Sequence, residues 1–213
     1  MNHNQPDTSD VIQNSTTDEY YNQHAGEFFE TTVKLDMSAT IHEFSAHLPE
    51  NAHILDAGCG SGRDSKLLIE LGYNVTAFDA SSKLARLASE YLGQPVLTCT
   101  FSQFKSNNQF DGIWACASLL HIPAPDMSQT LCHLSQYLKP EGVFYASFKY
   151  GSEDICKDGR NFTNCTESRL ADFVQETQLS IIKTWKTPDT RPERVDEYWL
   201  NALLRKNGSP TSP

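Results

Sequence analysis

Two spacings of apolar residues alternate along most of the chain. Runs of strand length rich in apolar, β-branched or aromatic residues are HILDAG (53–58), NVTAFDA (74–80), PVLTCTF (95–101), FDGIWACASLL (110–120) and GVFYASFKYG (142–151). Between them lie segments whose apolar residues recur every three to four positions, which predicts helices over SKLLIELG (65–72), SSKLARLASEYLG (81–93) and Asp126–Leu138. Gly72 and Gly93 close the first two, a serine caps the second, and Lys-Pro-Glu-Gly stops the third. Thr166–Glu176 reads as another helix, and LSIIKTWKT (179–187) and EYWLNALLRK (197–206) as two final strands. Strict strand–helix alternation predicts a doubly wound α/β domain, its sheet parallel and covered by helices on both faces. Two last strands without a helix between them predict a closing antiparallel hairpin.

The ends are polar. Residues 1–17 and 207–213 read as frayed, leaving a single domain over 18–206 of the 213 residues. The N-terminus lacks a signal-peptide pattern and no run is long enough to span a bilayer, so the chain reads as soluble and cytoplasmic. A net charge of -10 disfavours nucleic acid and anionic membranes as partners. Six cysteines occur singly and read as reduced, buried thiols. The histidines show no metal-ligand spacing, and the three N-x-S/T matches at Asn14, Asn161 and Asn164 read as chance.

The candidate chemistry centres on ILDAGCGSGRDS, residues 54–65. Gly58 allows a tight turn out of the strand, and Gly60 and Gly62 let the backbone pass close beneath a ligand. Asp79 ends the next strand, 21 residues after Gly58, where a carboxylate accepts from both hydroxyls of a ribose. The ligand should therefore contain a nucleoside. A dinucleotide loop, G-x-G-x-x-G, would place its third glycine where Arg63 stands, and no G-K-[ST] follows for a phosphate loop.

LDAGCGSG (55–62), Asp79, FDGIWA (110–115) and LKPEG (138–142), in that order, resemble class I S-adenosylmethionine-dependent methyltransferases. The resemblance covers about residues 51–150 and implies a Rossmann-like sheet of seven strands, mostly parallel, with the last one antiparallel. It implies S-adenosylmethionine as cofactor and S-adenosylhomocysteine as product, with Asp56, Gly58, Cys59, Gly60, Arg63, Asp79, Ala80, Cys116 and Ala117 around the cofactor and Phe101 against the adenine. Thr100 and Ser102 flank Phe101 where many family members carry an acid for the adenine amino group. A shorter similarity, GCGSGRDS-x-x-L followed by GYNVTAFD, is to small methyltransferases associated with tellurite resistance.

The acceptor side is read from fewer signals. The segment ACASLLHIP (115–123) lacks the N/D-P-P-Y/F sequence of many adenine and glutamine N-methyltransferases. His121 is either a base for an acceptor hydroxyl or thiol, or a packing residue. YYNQHAGEFF (20–29) forms a helix that either folds over the cofactor, with Tyr21 reaching its carboxylate, or simply covers the sheet. Lys149, Arg160, Arg191 and Arg194 form a cationic set which, if it converges, would bind a small anionic acceptor such as a metalloid oxyanion. Tyr150, Trp185 and Trp199 are aromatic candidates for a pocket wall, and 152–164 for a mobile lid. A tRNA or protein methyltransferase and a non-catalytic binding module are the rival readings. The protein is expected to be a monomer or homodimer.

Overall fold

A computed structural model describes residues 17–191, 194 and 196–208. After helix α1 (17–23) come α2 (Ala25–Thr32), α3 (Ser38–Ser45), β1 (His53–Ala57), α4 (Arg63–Glu70), β2 (Asn74–Asp79), α5 (Ser82–Leu92), β3 (Leu97–Thr98) and β4 (Phe110–Ala115). A 3-10 turn (Leu119–His121), α6 (Ala124–Ser135), β5 (Leu138–Lys149), β6 (Asp154–Lys157), β7 (Arg160–Thr163), α7 (Glu167–Val174), β8 (Leu179–Pro188) and β9 (Tyr198–Lys206) follow.

Seven strands form one sheet in the order β3-β2-β1-β4-β5-β9-β8. Strands β1 to β5 are parallel, and β9 runs antiparallel between β5 and β8. The predicted seven-stranded sheet and closing hairpin are both present. Alternation along the strands sends side chains to opposite faces. Leu55, Ile113, Ala115, Phe144 and Phe148 enter one buried cluster with α6 and α7 residues such as Leu131 and Leu170. Ile54, Trp114, Val143 and Tyr145 enter the other, beneath Phe44 of α3 and Leu68 of α4.

Helix punctuation follows local chemistry. Ser81 caps α5, accepting from the Leu84 N–H, and Gly93 ends it in the left-handed region at φ 70°. Thr166 caps α7 in the same way through the Arg169 N–H.

Several boundaries differ from those predicted. The run at 95–101 keeps only a two-residue strand, because it lies at the sheet edge with β2 as its sole neighbour. The apolar run at 110–120 leaves the sheet after Ala115, and Leu119–His121 turns as a 3-10 segment. Helix α6 begins two residues before Asp126 and ends at Ser135; Lys139 and Pro140 already belong to β5. Residues 152–164, read as a polar lid, contain the antiparallel hairpin β6–β7. Its pairs Ile155↔Phe162 and Cys156↔Asn161 do not show in the residue pattern. All six cysteines are free; Cys165 is buried, Cys59, Cys99 and Cys116 are half-buried, and Cys132 and Cys156 are exposed. No helix among the described residues is long and apolar enough to cross a membrane. Of the expected frayed ends, residues 1–16 and 209–213 lie outside the described residues, while Thr17 is helical and buried.

Candidate active site

The carboxyl ends of β1, β2, β4 and β5 meet at one edge of the sheet, where an open sheet of this kind binds its ligand. A cleft of about 1500 Å³ opens there, and most of the sequence-predicted site residues line it, Gly62 and Trp185 excepted.

Its floor is the loop 58–62. Gly58, Gly60 and Gly62 take φ of 81°, 56° and 78°, in the left-handed region that favours glycine. A Cβ on Gly58 would stand 2.6 Å from the Ser118 Cβ, so the loop lies against the segment after β4 with no space for a side chain. Asp79 closes the loop from the side: its Oδ2 accepts the Gly60 N–H and its Oδ1 the Ser81 N–H, each at 2.8 Å. Burial raises its carboxyl to about 6, against the pull of those two backbone bonds. Each oxygen retains a second lone pair for a ligand hydroxyl. Ala80 follows Asp79, and Phe101 sits edge-on to Phe78 at 5.6 Å across the cleft wall.

Behind the loop runs a buried polar network. Asp56 accepts from the Ser65 hydroxyl at 2.6 Å, and burial followed by the Asp64 charge raises it to about 8. The Arg63 side chain lies against Asp64 at 2.6 Å, and Asp64 also accepts the Trp114 indole N–H at 2.9 Å. Cys116 lies 3.8 Å from the same guanidinium, with its thiol pushed up to about 12 by burial. Cys59 is likewise held well above the ordinary thiol range by burial. Ala117, a non-glycine residue at φ 51°, donates its N–H to the Ser147 hydroxyl at 2.8 Å. Such strain is held in place where the surroundings over-determine it, commonly at functional sites.

His121 and Tyr21 meet over the cleft. The imidazole Nδ1 lies 2.7 Å from the Asn161 carbonyl, which can only accept, so Nδ1 carries the proton. Nε2 then accepts the Tyr21 hydroxyl at 2.8 Å. Burial, aided by the Arg160 and Lys149 charges and opposed by the Asn161 bond, lowers the imidazole to about 4. The hydroxyl of Tyr21 is thus engaged with His121, whereas one of the two readings of the 20–29 segment has it reach a cofactor carboxylate. Helix α1 is also anchored by Asn22, whose Oδ1 accepts the Ser81 hydroxyl at 2.9 Å and the Lys83 N–H at 3.2 Å.

The four cations all line the cleft, but each already has an acidic partner. Lys149 pairs with Glu197 at 2.7 Å, and Arg194 reaches the same carboxylate at 3.8 Å. Arg191 pairs with Asp189 at 2.6 Å. Arg160 stacks over the Tyr20 ring at 3.9 Å and reaches exposed Asp158 at 3.3 Å. Tyr150 is exposed, its hydroxyl 3.2 Å from Glu167 and Lys186 over its ring. Trp199 does line the cleft, with its indole N–H on Asp189, while Trp185 packs beside Tyr145 instead.

Sequence reasoning missed Asp18, Asn22, Ser118, Ser147, Phe162 and Asn164, all but Asn22 lining the cleft. Ser147, a lone hydroxyl in the apolar run VFYASF, was the one with a visible signal. Among the described residues no group of three or more His, Cys, Asp or Glu is placed to hold a metal ion.

This loop, acid and strand-edge cleft are those of a methyltransferase domain: the model of that family matches residues 29–180, and the chain belongs to it. A ubiquinone biosynthesis O-methyltransferase from Paramagnetospirillum magneticum is 38% identical over 100 residues, covering 45% of this chain and 39% of that protein. The chain thus matches well under half the length of this curated relative. Among solved structures, the 1,6-didemethyltoxoflavin-N1-methyltransferase of Burkholderia thailandensis, with 1,6-didemethyltoxoflavin and S-adenosylhomocysteine bound, superposes with a TM-score of 0.76. That likeness covers 97% of this chain and 93% of the other at 24% identity. Magnesium protoporphyrin IX methyltransferase from Synechocystis, with S-adenosylmethionine bound, gives 0.70 at 17% identity, covering 97% and 100%.

Proposed function

We propose that this protein transfers the methyl group of S-adenosylmethionine to an oxygen or nitrogen of a small organic acceptor. The observation that carries the reading is the glycine cradle clamped by Asp79, with the Gly60 N–H bonded to the carboxylate that would accept ribose hydroxyls. The donors and shapes present fit that cofactor. Asp79 would hold the ribose, Phe101 and Ala80 the adenine, and the loop 58–62 with Ala117 the methionine part. The cofactor supplies an electrophilic methyl on a sulfonium, with a neutral thioether as leaving group.

The chain's own contribution is alignment, exclusion of water and custody of one proton. As the acceptor atom gains a bond to carbon its proton becomes strongly acidic, so a weak base suffices to receive it. His121 is neutral at physiological pH, and Asn161 fixes its tautomer with Nε2 as the accepting atom. The proton passes to the Tyr21 oxygen as the Tyr21 proton moves to Nε2, leaving an imidazolium held by the Asn161 carbonyl. The Arg160–Tyr20 stack joins the β6–β7 hairpin to helix α1 where both line the cleft.

Both the P. magneticum relative and the B. thailandensis neighbour act on small molecules, which supports an organic acceptor. A compact metalloid oxyanion is disfavoured because Lys149 and Arg194 are already engaged with Glu197. The test is calorimetric titration of S-adenosylhomocysteine followed by methyl transfer from tritiated cofactor. Micromolar binding is expected, and no binding would sink the reading. Binding without transfer to any member of a broad acceptor panel would favour a non-catalytic module, and labelling of bulk tRNA a macromolecular substrate.

A further inference from the structure

The Tyr21 hydroxyl and the His121 ring come from elements 100 residues apart, and their bond stands only while both are held in place. The imidazole is held from β7. The Asn161 carbonyl accepts its Nδ1 proton at 2.7 Å, and the Phe162 ring stands edge-on to it at 5.0 Å. Tyr21 is carried by α1, which spans only residues 17–23. A helix of that length does not persist in water by itself, so contacts outside it must fix its place. Asn22 ties it to Ser81 and Lys83, beside Asp79.

Toward the hairpin α1 meets Arg160, the residue before Asn161. Its guanidinium lies 3.9 Å from the centre of the Tyr20 ring, 5.9 Å from that of Tyr21 and 5.1 Å from that of Phe162. Arginine presents a flat cation that stacks on aromatic faces, and the attraction strengthens as water is excluded. Its side chain is 17% exposed, whereas that of its acidic partner Asp158 is 56% exposed, so this rim ion pair contributes little. The Tyr20 and Tyr21 rings are perpendicular neighbours at 5.6 Å, so what holds one constrains the other. Three successive residues of β7 thus hold both partners: Arg160 the helix that carries Tyr21, Asn161 and Phe162 the imidazole. The Arg160 charge also acts on the pair. Burial raises the Tyr21 hydroxyl and the arginine opposes that rise. Burial lowers His121, the Asn161 bond opposes the fall, and the arginine adds to it. A more acidic phenol and a neutral imidazole are the donor and acceptor that the bond requires.

We infer that Arg160 is a positioning residue: by clasping the Tyr20 ring it sets α1 against β7 and so keeps the Tyr21 hydroxyl on His121 Nε2. Its guanidinium aligns the relay rather than binding an anionic acceptor. This inference rests on the methyltransferase reading, in which Tyr21 and His121 together take the acceptor proton.

The test is nitrogen NMR of the histidine rings in the full chain, with the His121 signals assigned through His121→Gln. Tyr21→Phe removes the donor and defines the position of an unbonded Nε2. Arg160→Lys keeps the charge without the flat face, and Tyr20→Leu keeps the arginine without the ring. Each should move the Nε2 signal most of the way to its Tyr21→Phe position. Each should also speed amide exchange over 17–23 by about tenfold, the effect of losing one desolvated cation–ring contact. Tyr20→Phe, which keeps a ring, should match wild type, and Tyr20→Leu added to Tyr21→Phe should move Nε2 no further. The Nδ1 proton bonded to Asn161 should persist throughout, which guards against collapse of the turn as the cause. An Nε2 signal that moves less than halfway in either Arg160→Lys or Tyr20→Leu would overturn the inference. So would a Tyr20→Phe signal displaced as far as that of Tyr20→Leu, or loss of the Nδ1 proton along with the Nε2 bond. The signals are read without cofactor or acceptor. Failure of wild type to bind S-adenosylhomocysteine is therefore a separate result, and it would sink the methyltransferase reading instead.

Discussion

Asp79 offers the sharpest test, because its role makes binding depend on pH in a calculable way. In the free protein its carboxyl lies at about 6, raised by burial. Ribose hydroxyls donate to the ionised form, so the bound protein must have a lower value. Affinity is then complete above about 6 and is lost as pH falls through it. The ionised fraction is about half at pH 6 and about one-tenth at pH 5, so S-adenosylhomocysteine affinity should drop about twofold and then about tenfold. Asp56, at about 8, and His121, at about 4, titrate on either side of that window. Asp79→Asn removes the charge and leaves either the Gly60 or the Ser81 N–H facing an amide that cannot accept it. Loss of charge-assisted bonds of this kind costs about 1.5–3 kcal/mol, roughly tenfold to a hundredfold or more in affinity. The assay is calorimetry from pH 5 to 7.5 on both proteins, with thermal melts to confirm folding. A flat profile for wild type, or the same slope in the Asn variant, would refute the assignment of Asp79 to the ribose.

Other perturbations separate the parts of the site. Gly58→Ala meets both the left-handed φ and the Ser118 Cβ at 2.6 Å, so about 2 kcal/mol of stability and most cofactor-product binding should be lost in melting and calorimetry. His121→Gln should lower kcat by about a hundredfold or more while leaving S-adenosylhomocysteine affinity unchanged; equal turnover would make His121 a packing residue. Tyr21→Phe removes the hydroxyl on Nε2 and should slow turnover at constant cofactor-product affinity, whereas a selective loss of that affinity would return Tyr21 to the cofactor carboxylate. Asn22→Ala frees the Ser81 hydroxyl and the Lys83 N–H, costing about 1 kcal/mol and speeding proteolysis at residues 17–23.

Much of the architecture was legible because it follows from short-range rules. Apolar periodicity marked β1, β2, β4, β5 and the helices between them, and Gly93 and Ser81 punctuated α5 as expected. The loop 58–62 and Asp79 were legible for a related reason: backbone that must take positive φ beneath a ligand restricts residue choice at fixed spacing. The closing hairpin declared itself by two strand patterns with no helix between them. By contrast β3 shrank to Leu97–Thr98, since an edge position gives an apolar run little to pair with.

What the chain alone determined, then, was the order of elements, the nucleoside-type cradle and the family resemblance, all carried by neighbours in sequence. Tertiary structure decided the contacts on the proposed acceptor side, where those of His121 and Lys149 join distant positions. Tyr21 meets His121 across 100 residues, and Lys149 is neutralised by Glu197, 48 residues on. Asn161 reaches back 40 residues to fix the His121 tautomer. The β6–β7 hairpin is two four-residue strands with only Ile155, Cys156 and Phe162 apolar, yet it carries Arg160 and Phe162 to the cleft. Charge and hydrogen bonding act through space, so their partners cannot be read from spacing along the chain until the sheet brings them together.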